Sequence, residues 1–294
     1  MRTTTWNAIG KKVDTCKTTA EVLKEAKLDY TVSKSPILLP NGFEIQDKVA
    51  TVKENGDYIG VVSKKYQVCQ NEDAFNFVDE IEGLSFEKAG ETKTGMIYII
   101  GSLPDVEVLG DTFTPHLIMQ NSHNGRYNLS ATICPLRFVC QNQFSFSFRQ
   151  MKNTVTIRHS KQLTSRMSQA KQLLNKTVEF MNTLQLEAEE LAAIKVSDHA
   201  LHKIVDKFFD LAKEDISKRE KANLEEKRAH FFKCYNAEDN QNFLGTGWGV
   251  VNAMADFETH KKRKQTENEA ESRFLKVTFD SLVMPRLIEA VRSI

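Results

Sequence analysis

Seven consecutive residues, Asn121-Ser122-His123-Asn124-Gly125-Arg126-Tyr127, form the densest polar cluster in a chain of 294 residues. Side chains of these types offer three chemistries. The His123 imidazole could serve as a general base or ligate a metal. The amides of Asn121, and of Asn142 further along, could hold a polar ligand. Arg126 beside Tyr127 is the pairing that grips a phosphate and stacks a base. The plain alternative is a hairpin turn in which Gly125 supplies a positive φ. A metal site would need His116, His123 and His159 to converge, and no acidic ligand lies nearby in sequence. A nuclease or other hydrolase using His123 or His159 would have to draw carboxylates from elsewhere, such as Glu87, Glu91, Asp256 or Glu258. Glycine-rich nucleotide loops, the GxSxG elbow and HExxH do not occur. No catalytic residue, metal ligand or cofactor is therefore assigned.

The charge distribution points in one direction. Thr112 to Val178 spans 67 positions without an Asp or Glu. It contains Arg126, Arg137, Arg149, Lys152, Arg158, Lys161, Arg166, Lys171 and Lys176. The net charge of +1 thus divides into +9 here and −8 elsewhere. Buried strands exclude carboxylates, but they exclude Lys and Arg as well. A basic excess of one sign suits a polyanion. The expected phosphate contacts are Arg126, Arg137, Arg149, Arg158, Lys161 and Arg166, with Tyr127 and His159 stacking or hydrogen bonding. A polar site at Asn121, His123 and Asn142 is a further expectation. Phe138, Phe144, Phe146 and Phe148 could form a stacking platform, although alternating Phe residues more often face a core.

These residues need elements to hold them. Thr18 and Glu21 make a capping box for a helix over Ala20–Lys27. Strands are expected over 29–39, 43–53 and 58–62, joined at Asn41-Gly42 and at Glu54 to Asp57. Asn71 can cap a helix over 72–81. Further strands are expected over 84–91, 96–103, 116–120, 126–134 and 153–159, with a strand favoured over 142–149. From Ser160 onward helix formers dominate. Periodicity predicts helices over 162–193, 197–212, 216–234, 248–262, 267–276 and 282–292. Thr246 can cap the fourth of these, within Gly245-Thr246-Gly247-Trp248-Gly249. The expected fold class is α+β: an antiparallel β-rich N-terminal half with short helices, residues 1–160, and a helical region, residues 161–294, packed on it. Five widely spread cysteines without a CxxC pair suggest reduced thiols. No apolar run reaches the roughly 20 residues of a membrane span. The N-terminus lacks the apolar core of a signal peptide, so a cytoplasmic location is expected.

The chain also resembles a known family, the phage- and plasmid-type proteins built on domain of unknown function 932. The segments that carry the resemblance begin with Leu28-Asp29-Tyr30-Thr31-Val32, Val62-Ser63-Lys64-Lys65-Tyr66 and Gln70-Asn71-Glu72-Asp73-Ala74-Phe75. They continue with Asn121-Ser122-His123-Asn124-Gly125, Arg137-Phe138-Val139-Cys140-Gln141-Asn142 and Ile157-Arg158-His159. The last is Gly245-Thr246-Gly247-Trp248-Gly249-Val250-Val251-Asn252-Ala253, followed by His260. Gln143 departs from the family, where a small residue is usual, and Phe144 to Phe148 is more aromatic than usual. The resemblance implies a mobile-element context in a bacterial host and carries over no catalytic residue. The layout is also similar to that of phage single-strand annealing proteins, as an analogy of architecture only. Together these features lead to an expected binder of single-stranded DNA, serving recombination or replication by annealing. It would act as a homo-oligomer such as a ring, without a cofactor or a membrane. The alternatives are the hydrolase built on His123 or His159 and a protein-interaction module that counters a host defence.

Overall fold

The computed structural model describes residues 4–144, 152–156, 163–209, 217–260, 267–279 and 283–294. After a 3-10 turn at Thr5–Ala8 come β1 (Lys11–Lys12), α1 (Thr19–Glu25), β2 (Val32–Leu38), β3 (Glu44–Lys53) and β4 (Tyr58–Ser63). Helix α2 (Asn71–Phe75) continues into a 3-10 turn, Asn76–Glu80. Then follow β5 (Ser85–Glu91), β6 (Met96–Ser102), β7 (Val106–Val108), β8 (Asp111–Ser122), β9 (Ser130–Arg137), β10 (Asn142–Gln143) and β11 (Thr154–Thr156). The helical half comprises α3 (Leu163–Ala193), α4 (Asp198–Phe208), α5 (Lys218–Tyr235), α6 (Gly247–His260), α7 (Glu267–Phe279) and α8 (Val283–Arg292). The fold is α+β, with strands and helices segregated along the chain.

Local signals explain many of the boundaries. The Thr18 hydroxyl accepts the Glu21 N–H, and the Glu21 carboxylate accepts the Lys17 N–H. At its other end, α1 closes in a Schellman arrangement: Leu28 N–H bonds Leu23 O, Lys27 N–H bonds Lys24 O, and Lys27 takes φ 56°. Ser197, Ser217 and Thr246 each accept an N–H three residues on, at the starts of α4, α5 and α6. Asn71 departs from its expected capping role. Gln70 holds the cap position, and its side-chain amide bonds both Val32 N–H and Val32 O. Asn71 is turned inward instead.

The strands form two antiparallel sheets. The larger runs β1-β5-β6-β8-β9-β10, with β7 also on β8 and β11 also on β9. The smaller is the meander β2-β3-β4. Central strands of the large sheet are covered on both faces. Ile97, Ile99, Leu117, Met119, Ala131 and Ile133 face a core shared with α1, α2, α3 and α6. Met96, Tyr98, Ile100 and Ile118 face Trp6 and Phe274 on the other side. Burial on both faces is why these strands read as unbroken apolar runs, without the alternation of a half-exposed strand. Phe144 joins the core, 5.2 Å from the Phe113 ring and stacked 5.6 Å from Trp248, so it is not part of a stacking platform. Phe138 is exposed; Phe146 and Phe148 lie outside the described residues.

Candidate functional site

Two tight turns and the small sheet meet at one end of the large sheet. The β5–β6 turn places Gly95 at φ 81°. The β8–β9 connection places Gly125 at φ 72°. Asn124 ties them together: its Nδ2 donates to Thr94 O at 2.8 Å, and its Oδ1 accepts the Arg126 N–H at 3.1 Å. The Tyr127 hydroxyl donates to Thr94 Oγ1 at 2.8 Å. The small sheet docks on the same connection. Thr51 Oγ1 donates to His123 O at 2.8 Å, and Tyr66 Oη donates to Ser122 O at 2.9 Å.

Between these turns and β4 lies a cleft of about 610 Å³. Lys53, Lys93 and Arg126 contribute positive charge, and Asp57 and Glu91 contribute negative charge. Glu91 is engaged from inside: Lys53 Nζ stands 3.2 Å away, and Tyr30 Oη donates to it at 3.0 Å. The Lys53 ammonium also sits 3.8 Å from the centre of the Tyr30 ring. Tyr58, 66% exposed, lines the opening. Arg126 is likewise exposed. An aromatic face, the exposed Arg126 and turn backbone along one cleft can stack a base and meet its phosphate.

His123 and Asn121 lie behind this cleft rather than in it. His123 is 1% exposed. Its Nε2–H donates to Asn71 Oδ1 at 3.0 Å, which leaves Nδ1 as a buried acceptor without a partner. Asn121 Nδ2 donates to Asn71 Oδ1 and to Cys69 O, both at 3.1 Å. Asn71 Nδ2 in turn donates to Leu28 O. Burial, reinforced by the positive charge of Lys53, lowers the His123 pKa to about 4. This network locks α2, the β8 end and the α1–β2 link together.

Among the described residues, Arg126 and Arg137 of the basic window do not share one surface. Arg126 lies just before β9 and Arg137 at its far end, eight strand residues on, which is a separation of roughly 25 Å. Arg137 corrects its assignment as a phosphate contact. It is 2% exposed, 2.7 Å from Asp111 and 3.7 Å from Asp239, and donates to Asp239 O. Burial pushes the Asp111 pKa up, and the attraction of Arg137 only partly offsets this. A guanidinium held by two carboxylates inside the protein has no charge to offer a ligand. Asn142 is at this same far end, its Oδ1 3.1 Å from His260 Nε2, so it does not join Asn121 and His123. His116, seven residues before His123, is buried with its Nε2 3.0 Å from Glu87. Burial is the largest single influence on Glu87 and raises its pKa, but the hydrogen bond and charge of His116, with hydrogen bonds from Ser102 and Trp6, together outweigh it, and the net effect is a lowering. Among the described residues no three His, Cys, Asp or Glu side chains gather as a metal-binding set. Tyr127, half-buried, packs against the Trp6–Phe274 cluster and donates its hydroxyl to Thr94.

Arg149, Arg158, His159 and Lys161 lie outside the described residues, as does the Arg166 side chain. Lys53, Tyr58 and Lys93, which the cleft brings together, carry no local sequence signal. Each only flanks a glycine turn, and only the docking of the two sheets makes them neighbours.

No helix among the described residues is long and apolar enough to cross a membrane. No curated protein and no solved structure matches the chain. The family model described as "Domain of unknown function (DUF932)" matches residues 58–278, from the first residue of β4 almost to the end of α7. That span takes in the cleft turns, the Arg137 lock and the capped start of α6, and the chain belongs to the DUF932 family.

Proposed function

We propose that this protein binds single-stranded nucleic acid, DNA by preference, in the cleft between β4 and the two turns of the large sheet. Tyr58 supports the reading most directly: an exposed aromatic beside exposed Arg126, in a cleft that also holds Lys53 and Lys93. Base–aromatic stacking tolerates any sequence, and the cations add affinity that falls with salt. One cleft covers few nucleotides, so several copies would line a strand, as an annealing protein requires. The preference for DNA follows from the mobile-element setting that the resemblance implies, in the cytoplasm of a bacterial host. The hydrolase alternative gains nothing at His123, which is buried with its Nε2 engaged.

The test is fluorescence anisotropy with labelled single-stranded and duplex DNA and single-stranded RNA, without metal, at two salt concentrations. Single-strand binding that weakens with salt and is lost in Arg126→Glu supports the proposal. No binding of single strands at low salt overturns it. A second reading, a protein-interaction module, draws on the β2–β3 hairpin tip, where Leu38, Leu39 and Phe43 are all exposed. It predicts no nucleic-acid affinity and salt-insensitive capture of a protein partner.

A further inference from the structure

The small sheet has two outer strands, β2 and β4, and only one of them is defended against a further strand. Residues of an antiparallel pair alternate between bonding their neighbour and facing away from it. On β2 the bond from Glu54 N–H to Thr31 O sets that alternation, so Val32, Lys34 and Pro36 turn their backbones outward. Each of the three is closed. Gln70 bonds both the N–H and the carbonyl of Val32, Pro36 has no N–H, and Lys34 puts a charged chain on the edge. Lysine and proline on an outer strand keep other chains from pairing with it.

Strand β4 has none of these protections. The bond from Lys64 N–H to Asp47 O sets its alternation: Gly60 and Val62 bond β3, while Val61 and Ser63 face away. The register irregularity lies at the Tyr58 end, and Gly60 to Ser63 pair regularly. Among the described residues no strand pairs with this outer edge. Tyr58 to Ser63 contains neither proline nor charge. Tyr58 and Val61, 66% and 48% exposed, add apolar surface. An uncharged, apolar, unpaired edge is a template for another strand. The charges at its two ends say which strand. Asp57 stands just before β4, exposed, its carboxylate bonded to Asn55 of the same turn. Lys64 and Lys65 stand just after it, also exposed; Lys64 is 3.7 Å from Glu44, and Lys65 has no carboxylate partner among the described residues. A second β4 laid antiparallel brings the acidic end of each copy against the basic end of the other. A parallel arrangement would set like charges side by side.

We propose that β4 pairs antiparallel with β4 of a second copy of this chain across a two-fold axis, joining the two small sheets into one continuous sheet. Val61 of each copy lies near the axis, and Asp57 of each faces the Lys65 end of the other. The same surface serves on both sides, so the assembly closes at a dimer. This interface does not depend on the nucleic-acid reading, and no nucleic acid enters its test, so either can fail alone.

Sedimentation equilibrium of the full chain over a series of concentrations measures the dimerisation constant. Expected is a reversible monomer–dimer equilibrium in the wild type, weakened about tenfold or more by Val61→Lys and by Asp57→Lys or Lys65→Asp alone. The double variant Asp57→Lys/Lys65→Asp restores opposite charges across the axis and should dimerise more strongly than either single variant. Hydrogen exchange on the wild type gives a second readout: the outward Val61 amide should exchange more slowly at high protein concentration than at low. A wild type that stays monomeric to its highest soluble concentration overturns the proposal. So does a dimer unmoved by Val61→Lys, a double variant no stronger than the singles, or a Val61 amide whose exchange ignores concentration. Because the exchange measurement needs no variant, the test stands even where a substitution fails to fold.

Discussion

Gly60 and Asn124 touch so closely that a Cβ at position 60 would lie 2.7 Å from the Asn124 Cβ and 3.1 Å from its Cα. This is where the small sheet rests on the large one. The obstacle is the base of a side chain and its backbone, which cannot swing aside. Gly60→Val should therefore push β4 off the β8–β9 connection and cost about 1–3 kcal/mol. Urea denaturation would show it as a lower midpoint, and binding in the cleft should fall with it. A midpoint within error of wild type would mean that the two sheets are not rigidly docked.

Arg126 and Arg137 should behave as opposites. Removing the Arg137 guanidinium takes the buried positive charge away from half-buried Asp111 and Asp239. Arg137→Ala should cost about 3–5 kcal/mol. Lysine should not rescue it, because a point charge cannot reproduce the forked contacts. Arg126→Glu, at an exposed turn, should change stability by less than about 0.5 kcal/mol while abolishing single-strand binding. Paired thermal melts and anisotropy titrations separate the two roles.

Acid should weaken the protein through His123. Its pKa is near 6.5 in the unfolded chain and about 4 in the fold. Between those values the unfolded state binds a proton that the native state refuses. The contribution is complete above pH 6.5 and declines as pH falls toward 4, by about 3 kcal/mol in all. In His123→Asn, whatever its overall stability, this limb of the stability–pH curve should flatten. An unchanged slope would show that His123 titrates normally in the fold.

Tyr58 and Tyr127 should also separate. Tyr58→Ala removes an exposed ring, so stability should hold while single-strand affinity drops by about tenfold, the equivalent of one lost base stack. Tyr127→Phe deletes only the bond to Thr94 Oγ1, so it should cost about 1 kcal/mol of stability and leave stacking intact. Titrations of both variants against the same labelled strand decide between them.

What the sequence determined by itself is what neighbours along the chain can specify. The Thr18–Glu21 box, the Thr246 cap and the glycine turns at 42, 56, 95 and 125 each act within a few residues. Strand and helix order, and with it the α+β class, followed from such signals and from periodicity. The tertiary structure decided which charges and amides remain available. The acid-free window from Thr112 to Val178 looked uniformly basic, but Asp239 reaches Arg137 across 102 residues, and Asp111, just outside the window, closes on it across 26. Asn71, placed like a cap, turned inward because Asn121 and His123, some 50 residues away, needed an acceptor. Lys53, Tyr58, Lys93 and Arg126 share a cleft only because two separate sheets dock through Gly60. Pairings over such separations depend on how layers stack, and a buried charge takes whichever partner that stacking brings within reach.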